Sequence, residues 1–82
     1  MSDGSSTALV ALVTCGSVEE SRTVARAVLE AKAAACVNII GEIESHYWWQ
    51  DKLESSPEHL LVIKTTESRA DQLEEIVKQA HS

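Results

Sequence analysis

The segment from Ala35 to Thr66 is predicted to be one long β-hairpin, and its tip holds every aromatic residue of the chain. The sequence contains no Phe, one Tyr and two Trp, and the three rings are adjacent at Tyr47-Trp48-Trp49. As a single strand, Cys36 to Trp49 would span roughly 46 Å at about 3.3 Å per residue. Each of the two predicted helices would cover only about 22 Å at about 1.5 Å per residue. Much of the hairpin therefore extends beyond any core that this chain can build.

A hairpin arm that ends in two Trp side chains would expose a large apolar surface in an isolated subunit. Large rings normally lie in a protein core or at an interface, and exposed apolar strands promote aggregation. We therefore expect Tyr47, Trp48 and Trp49 to pack on another subunit. This expectation makes the protein an obligate oligomer.

The length and charge of the chain exclude several classes of protein. Eighty-two residues form one small domain, of a size that often depends on partner subunits or metals. The net charge of −6, with scattered Lys and Arg, argues against nucleic-acid binding. The longest apolar run, Ala8 to Val13, is too short for a membrane span or a signal peptide. We expect a disordered tail at 1–6, a domain at 7–82, a cytoplasmic location, and neither nucleic-acid nor membrane partners.

Hydrophobic periodicity predicts the element order β-α-β-β-α. The continuous apolar run from Thr7 to Cys15 favours a central strand that is buried on both faces. Ser17 and Glu20 have the spacing of a capping box at the start of the first helix, while Gly41 indicates a β-bulge. Thr66 is a suitable N-cap for the second helix. A split βαβ unit needs one more strand after that helix, so we expect the sequence to be a fragment.

Four blocks of the sequence stand out: Ala34-Ala35-Cys36-Val37-Asn38-Ile39-Ile40, Ser45-His46-Tyr47-Trp48-Trp49, Lys52-Leu53-Glu54 and Ile63-Lys64-Thr65-Thr66. Together they resemble the CutA family of divalent-cation tolerance proteins. The similarity runs from about Ala8 to His81. It implies an α+β, ferredoxin-like sandwich of βαββ(αβ) order, with a long protruding β-hairpin, assembled as a homotrimer and here lacking its final strand. It also implies a role in tolerance of, or response to, copper and other divalent ions.

The resemblance also suggests metal ligands, although this chain keeps few of them. Copper binding is attributed to some CutA proteins through Cys and His at the positions of Thr14, Ala80 and His81, and only His81 keeps its ligand type. Cys36 matches a cysteine that is common in the family, whereas Cys15 is one residue from Thr14 and should therefore point to the opposite face. We expect His81 and Cys36 to bind Cu(II) or another divalent cation, without an organic cofactor. The alternative is that the thiols are core residues and His81 is solvated.

Two further features leave alternatives open. Lys64 interrupts an apolar strand, where an unpaired charge is costly. The family resemblance suggests that it lines a cleft between subunits together with Tyr47, Trp49 and Glu54, although it could simply face solvent.

His46 and His59 lie on opposite hairpin arms, and the strand register decides whether they approach each other.

The sequence predicts a binding or signalling protein rather than an enzyme. It contains no phosphate loop, nucleophile elbow or zinc-protease motif. The alternative to metal binding is a trimeric scaffold that holds a small anion or a partner protein at the inter-subunit cleft.

Overall fold

The structure, a computed structural model, describes residues 7–81. The predicted order β-α-β-β-α is confirmed, with a 3₁₀ turn inserted before the second helix. The expected disordered tail at 1–6 lies outside the described residues. The elements are β1 (Ala8–Cys15), α1 (Val18–Glu30), β2 (Cys36–Trp49), β3 (Lys52–Thr66), the 3₁₀ turn Glu67–Arg69 and α2 (Ala70–Ala80).

The three strands form an antiparallel sheet in the order β1-β3-β2. β2 and β3 are joined at Gln50 and Asp51, whose φ angles of 48° and 65° are those of a tight hairpin turn. β1 pairs with β3 only as far as the Cys15–His59 pair, so within residues 7–81 the rest of the hairpin has no third strand beside it. The molecule accordingly measures 49 × 23 × 20 Å. The predicted protruding hairpin is confirmed.

The position expected for β1 is wrong. Within residues 7–81 the central strand is β3, and β1 lies at the edge of the sheet. Val10 and Leu12 on β1 are 61% and 66% exposed, because both helices cover the opposite face of the sheet. A continuous apolar run predicts a strand with both faces buried. Within residues 7–81 of one copy, only the face of β1 toward the helices is covered.

The core lies between the helices and one face of the sheet. Val24 and Val28 of α1 pack with Leu61 and Ile63 of β3, and all four are fully buried. Leu29, near the end of α1, is 40% exposed. Among residues 7–81, none of the helices combines the length and the apolar character required to cross a membrane.

Local sequence signals specify a bulge within β2 and the start of α1. The predicted bulge at Gly41 is confirmed, because the register of β2 against β3 shifts between Ile40 and Ile43. The predicted cap of α1 is confirmed as well, since Ser17 Oγ accepts a hydrogen bond from the Glu20 N–H at 3.0 Å. Thr66 precedes the 3₁₀ turn rather than α2 itself, and its side chain makes no capping hydrogen bond.

Candidate metal centre

Three potential metal ligands converge where β1 ends, α1 begins and α2 ends. Cys15 is the last residue of β1, Glu20 lies in the first turn of α1, and His81 follows α2 directly. One ligand atom from each residue, a thiol sulfur, a carboxylate oxygen and an imidazole nitrogen, lies within 4.8 Å of the other two. The fold therefore brings together residues from both ends of the described chain.

Cys15 supplies a thiol that is fully buried on the helix side of the sheet. Burial is the largest cause that raises the pKa of the Cys15 thiol, and the nearby carboxylates of Glu20 and Glu58 raise it further. A hydrogen bond with Ser21 acts in the opposite direction without reversing the shift. The thiol therefore stays protonated near neutral pH, and a cation that binds the sulfur must displace this proton.

Glu20 is oriented by the capping box that starts α1. Its backbone N–H donates to Ser17 Oγ, and its carboxylate Oε1 accepts a hydrogen bond from the Gly16 N–H at 3.0 Å. The other carboxylate oxygen, Oε2, lies 4.0 Å from His81 Nδ1. The cap thus holds the carboxylate beside the end of β1.

His81 is held by a contact that spans 67 positions of the sequence. Its Nε2 lies 2.7 Å from the Thr14 carbonyl oxygen. A carbonyl can only accept a hydrogen bond, so Nε2 carries the proton, and in the neutral imidazole Nδ1 then has a lone pair. Nδ1 is the nitrogen that faces Glu20. A hydrogen bond from the distal nitrogen to a backbone carbonyl is the usual way in which proteins orient a histidine ligand.

This set of donors suits a borderline divalent cation. Zinc and copper bind thiolate, imidazole and carboxylate groups, whereas magnesium and calcium require oxygen ligands. Around a tetrahedral ion with bonds of about 2.0–2.3 Å, the ligand atoms lie roughly 3.3–3.8 Å apart. The ligand atoms here lie no more than 4.8 Å apart, so they reach that geometry by movements of roughly 1 Å. Such movements are within reach of side-chain adjustments.

The structure brings together only one of the two ligands expected from sequence. His81 lies in the cluster, but Cys36 does not. Cys36 pairs with Lys64 of β3, whereas Thr14, the contact of His81, pairs with Leu60. Four residues along a strand correspond to roughly 13 Å, which is too far for one ion within a single subunit. The Cys36 thiol instead lies 3.8 Å from Asn38 Oδ1.

Sequence reasoning missed Cys15 and Glu20 as members of the cluster. It expected Cys15 to point away from the family's ligand position at Thr14, and the two side chains do lie on opposite faces. However, the face toward α2 is that of Cys15, while Thr14 is exposed and contributes its backbone carbonyl. The spacing of Ser17 and Glu20 predicts the capping box, but it gives no sign of a second role for the Glu20 carboxylate.

The residues expected to line an inter-subunit cleft do not meet within one subunit. Tyr47 and Glu54 are cross-strand partners, but Lys64 is ten residues farther along β3, roughly 33 Å away. Tyr47, Trp48 and Trp49 are 42%, 70% and 61% exposed. Their predicted role as interface anchors therefore remains a prediction about the assembly.

The two histidines of the hairpin do not form a site together. His46 pairs with Ser55, four positions from His59 along β3, and its Nε2 lies 3.0 Å from Glu44 Oε1 on the exposed surface. His59 instead lies opposite Cys15 on β1.

A concave region lies at the other end of the sheet from this cluster. It is a cleft of about 490 Å³ whose lining includes Lys32, Lys64 and Arg69. Arg69 donates a hydrogen bond to the Lys32 carbonyl, and Gln72 donates one to the Ala31 carbonyl. These bonds satisfy carbonyl groups at the end of α1, so part of this positive charge already has a structural role.

Comparisons with known proteins agree with this fold and with the sequence resemblance. The sequence profile described as "CutA1 divalent ion tolerance protein" matches residues 9–82. The rice protein named "Protein CutA 1, chloroplastic" is 45% identical over 73 residues, which are 89% of this chain and 41% of the rice protein. The chain therefore spans less than half the length of that relative.

Solved structures give the same result. The crystal structure of CutA1 from Oryza sativa has a TM-score of 0.91 at 42% identity, covering 95% of this chain and 72% of that one. The divalent cation tolerance protein CutA1 from Thermus thermophilus has a TM-score of 0.87 at 41% identity, covering 92% and 73%. With a matching profile, curated relatives above 40% identity and the same fold, the chain belongs to the CutA1 divalent ion tolerance family.

Proposed function

We propose that this chain contributes to divalent-cation tolerance by binding a divalent cation at Cys15, Glu20 and His81. The observation that supports this proposal is the convergence of three chemically different donors around an imidazole whose tautomer is set by the Thr14 carbonyl. In the absence of a cation, the Glu20 carboxylate and the His81 imidazole lie beside the protonated Cys15 thiol. A cation replaces the thiol proton and is attracted to the carboxylate.

The proposed ion belongs to the copper and zinc class. Divalent copper has the highest affinity of the first-row divalent ions for most sites with nitrogen, oxygen or sulfur donors, and zinc also accepts this donor set. We therefore keep copper as the first candidate and zinc as the second. The proposed role is binding, with or without signalling to a partner, and it requires no catalytic step. The proposed location is the cytoplasm, although the rice relative is named as chloroplastic.

Calorimetric titration with Cu(II) and with Zn(II) tests the proposal. We expect one ion per subunit, and a loss of affinity in Cys15→Ser and His81→Ala that exceeds the roughly 10–100-fold typical of losing an outer-shell partner. Cys36→Ser and His46→Ala are the matched controls, because they remove a thiol and an imidazole outside the cluster. If Cys36→Ser abolished binding while Cys15→Ser preserved it, this site would be wrong and the sequence-based pair would be favoured.

We also propose that the functional unit is a homotrimer. Exposed apolar side chains support self-association, both on the sheet face away from the helices, with Val10 and Leu12, and at the hairpin tip, with Trp48 and Leu53. The number three comes from the family resemblance. Sedimentation equilibrium of the purified chain tests this proposal, and a monodisperse monomer at micromolar concentration would contradict it.

The cationic cleft supports a second candidate function, the binding of a small anion. Its lining contains three of the seven Lys and Arg residues of the chain, Lys32, Lys64 and Arg69, and no Asp or Glu. This candidate predicts saturable binding of inorganic pyrophosphate that Lys64→Gln weakens and metal ions leave unchanged. The exposed Lys52→Gln at the hairpin turn is its control. Equal pyrophosphate binding by both variants would remove this candidate.

A further inference from the structure

His59 lies immediately beside the proposed metal centre. It is the direct cross-strand partner of Cys15 in the β1–β3 register. Its side chain is on the same face as those of Leu61 and Ile63, which are fully buried under the helices, because alternate residues of a strand share a face. Directly paired residues of antiparallel strands have Cα atoms about 4.5–5.5 Å apart. Cys15 and His59 are therefore close enough to bind a single ion.

The position of the His59 ring is defined by Gly41 on β2. Ring atoms Cδ2 and Nε2 lie 2.5 and 2.7 Å from the point where a Cβ atom on residue 41 would be, while Cγ is 3.5 Å away. In an imidazole ring, Nδ1 is the atom opposite the Cδ2–Nε2 bond. Nδ1 is consequently on the side of the ring away from Gly41. The strand on the other side of β3 from β2 is β1, which ends at Cys15.

Nδ1 of His59 is also a buried polar atom without a hydrogen-bond partner among the described residues. A buried polar atom left unsatisfied destabilises the folded protein, and proteins usually avoid that cost unless the atom has another role. His59 is the strand partner of Cys15, one of three donors that together lack only a fourth ligand for a tetrahedral site. A metal ion would satisfy the unpaired nitrogen and complete the coordination at once.

We propose that His59 is the fourth ligand of the metal centre and that the site selects a tetrahedral cation with one sulfur, two nitrogen and one oxygen donors. This inference rests on the proposed function and names the coordination and the ion class. His59 is not among the three residues whose donor atoms lie within 4.8 Å of one another, so its ring moves toward Cys15 when the ion binds. The same movement takes the ring out of its close approach to Gly41. A fourth ligand in this geometry moves zinc ahead of copper among the candidate ions, because zinc favours four tetrahedral ligands.

Titration with Co(II) alone tests this coordination, because Co(II) reports both its geometry and its thiolate ligand in the absorption spectrum. We expect the unmodified protein to show intense visible bands typical of tetrahedral Co(II), together with a thiolate-to-metal charge-transfer band. His59→Val should keep the charge-transfer band and lose most of the visible intensity because water replaces the imidazole. It should also weaken Co(II) binding by more than the roughly 10–100-fold typical of losing an outer-shell partner. His46→Ala should match the unmodified protein, and Cys15→Ser should lose the charge-transfer band.

Two outcomes separate failure of this inference from failure of the proposed function. If His59→Val were indistinguishable from the unmodified protein, the fourth-ligand proposal would be overturned while the three-residue site remained. If the unmodified protein gave no charge-transfer band, both would fail. X-ray absorption of the zinc-loaded, unmodified protein tests the inference even if His59→Val does not fold. Two imidazole ligands per zinc are expected, and a single one would overturn the assignment.

Discussion

Metal binding by this chain should become about tenfold tighter for each unit of pH between about pH 7 and 9. Burial raises the pKa of the Cys15 thiol above its ordinary value of 9.0, so the thiol stays protonated throughout this range. Binding as a thiolate releases that proton. Release of one proton per ion changes the dissociation constant tenfold per pH unit, which corresponds to about 1.4 kcal/mol.

Calorimetry in buffers of different ionisation enthalpy measures this proton release directly. We expect close to one proton released per Zn(II) ion in the unmodified protein and in Cys36→Ser. In Cys15→Ser the residual binding should release none and should vary little with pH over the same range. Affinity that is independent of pH in the unmodified protein would show that the Cys15 thiolate is not a ligand.

The raised pKa of the Cys15 thiol predicts that pH changes the free energy of unfolding differently in the metal-free and the metal-loaded protein. Because the folded pKa lies above the unfolded one, the thiol's contribution to stability is fully present below pH 9.0 and is lost as the pH rises through the folded pKa. Stabilisation by a ligand grows as its dissociation constant falls. Between about pH 7 and 9 at a fixed excess of zinc, the free energy of unfolding should rise with pH only in the loaded form. Parallel pH dependence of the two forms would contradict this reasoning.

Three further predictions concern the fold and the assembly. Leu61→Ala removes a fully buried side chain of the central strand and should lower the free energy of unfolding in urea by about 2–5 kcal/mol, whereas Leu53→Ala, at a 68% exposed position, should cost much less per subunit. Ser17→Ala removes the hydroxyl that accepts the hydrogen bond from the Glu20 N–H. It should lower the free energy of unfolding by about 0.5–2 kcal/mol in the same assay, and it should weaken zinc binding in calorimetry. Trp48→Ser removes a 70% exposed indole and should weaken self-association in sedimentation equilibrium while the circular dichroism spectrum stays unchanged.

Local chemistry made most of the fold predictable from sequence. The alternation of polar and apolar residues in β2 has a period of two, and Gly41 interrupts it where the register shifts. The spacing of Ser17 and Glu20 marks the start of α1. Each signal lies within a few residues of the feature that it specifies. These features can therefore be predicted without knowing how the rest of the chain folds.

The arrangement of the candidate site depends on contacts that the sequence does not encode locally. From Ala8 to Val13 every residue of β1 is apolar, so the pattern does not show which parity faces the helices. The face of Cys15 follows from the pairing of β1 with β3 and from the position of α2. The contact between His81 and Thr14 joins residues 67 positions apart. The sequence could therefore identify His81 as a candidate ligand without identifying its neighbours.

The capping box links the metal site to the start of α1. Ser17 satisfies the Glu20 N–H, and the Glu20 carboxylate satisfies the Gly16 N–H, so the backbone on both sides of Ser17 is fixed before an ion arrives. His81 is fixed independently by the Thr14 carbonyl. Two of the three ligands are thus pre-oriented by hydrogen bonds, which lowers the conformational entropy lost on binding. An ion bound between them would join the end of α2 to the start of α1 and the end of β1, so metal occupancy would stabilise the packing of both helices on the sheet.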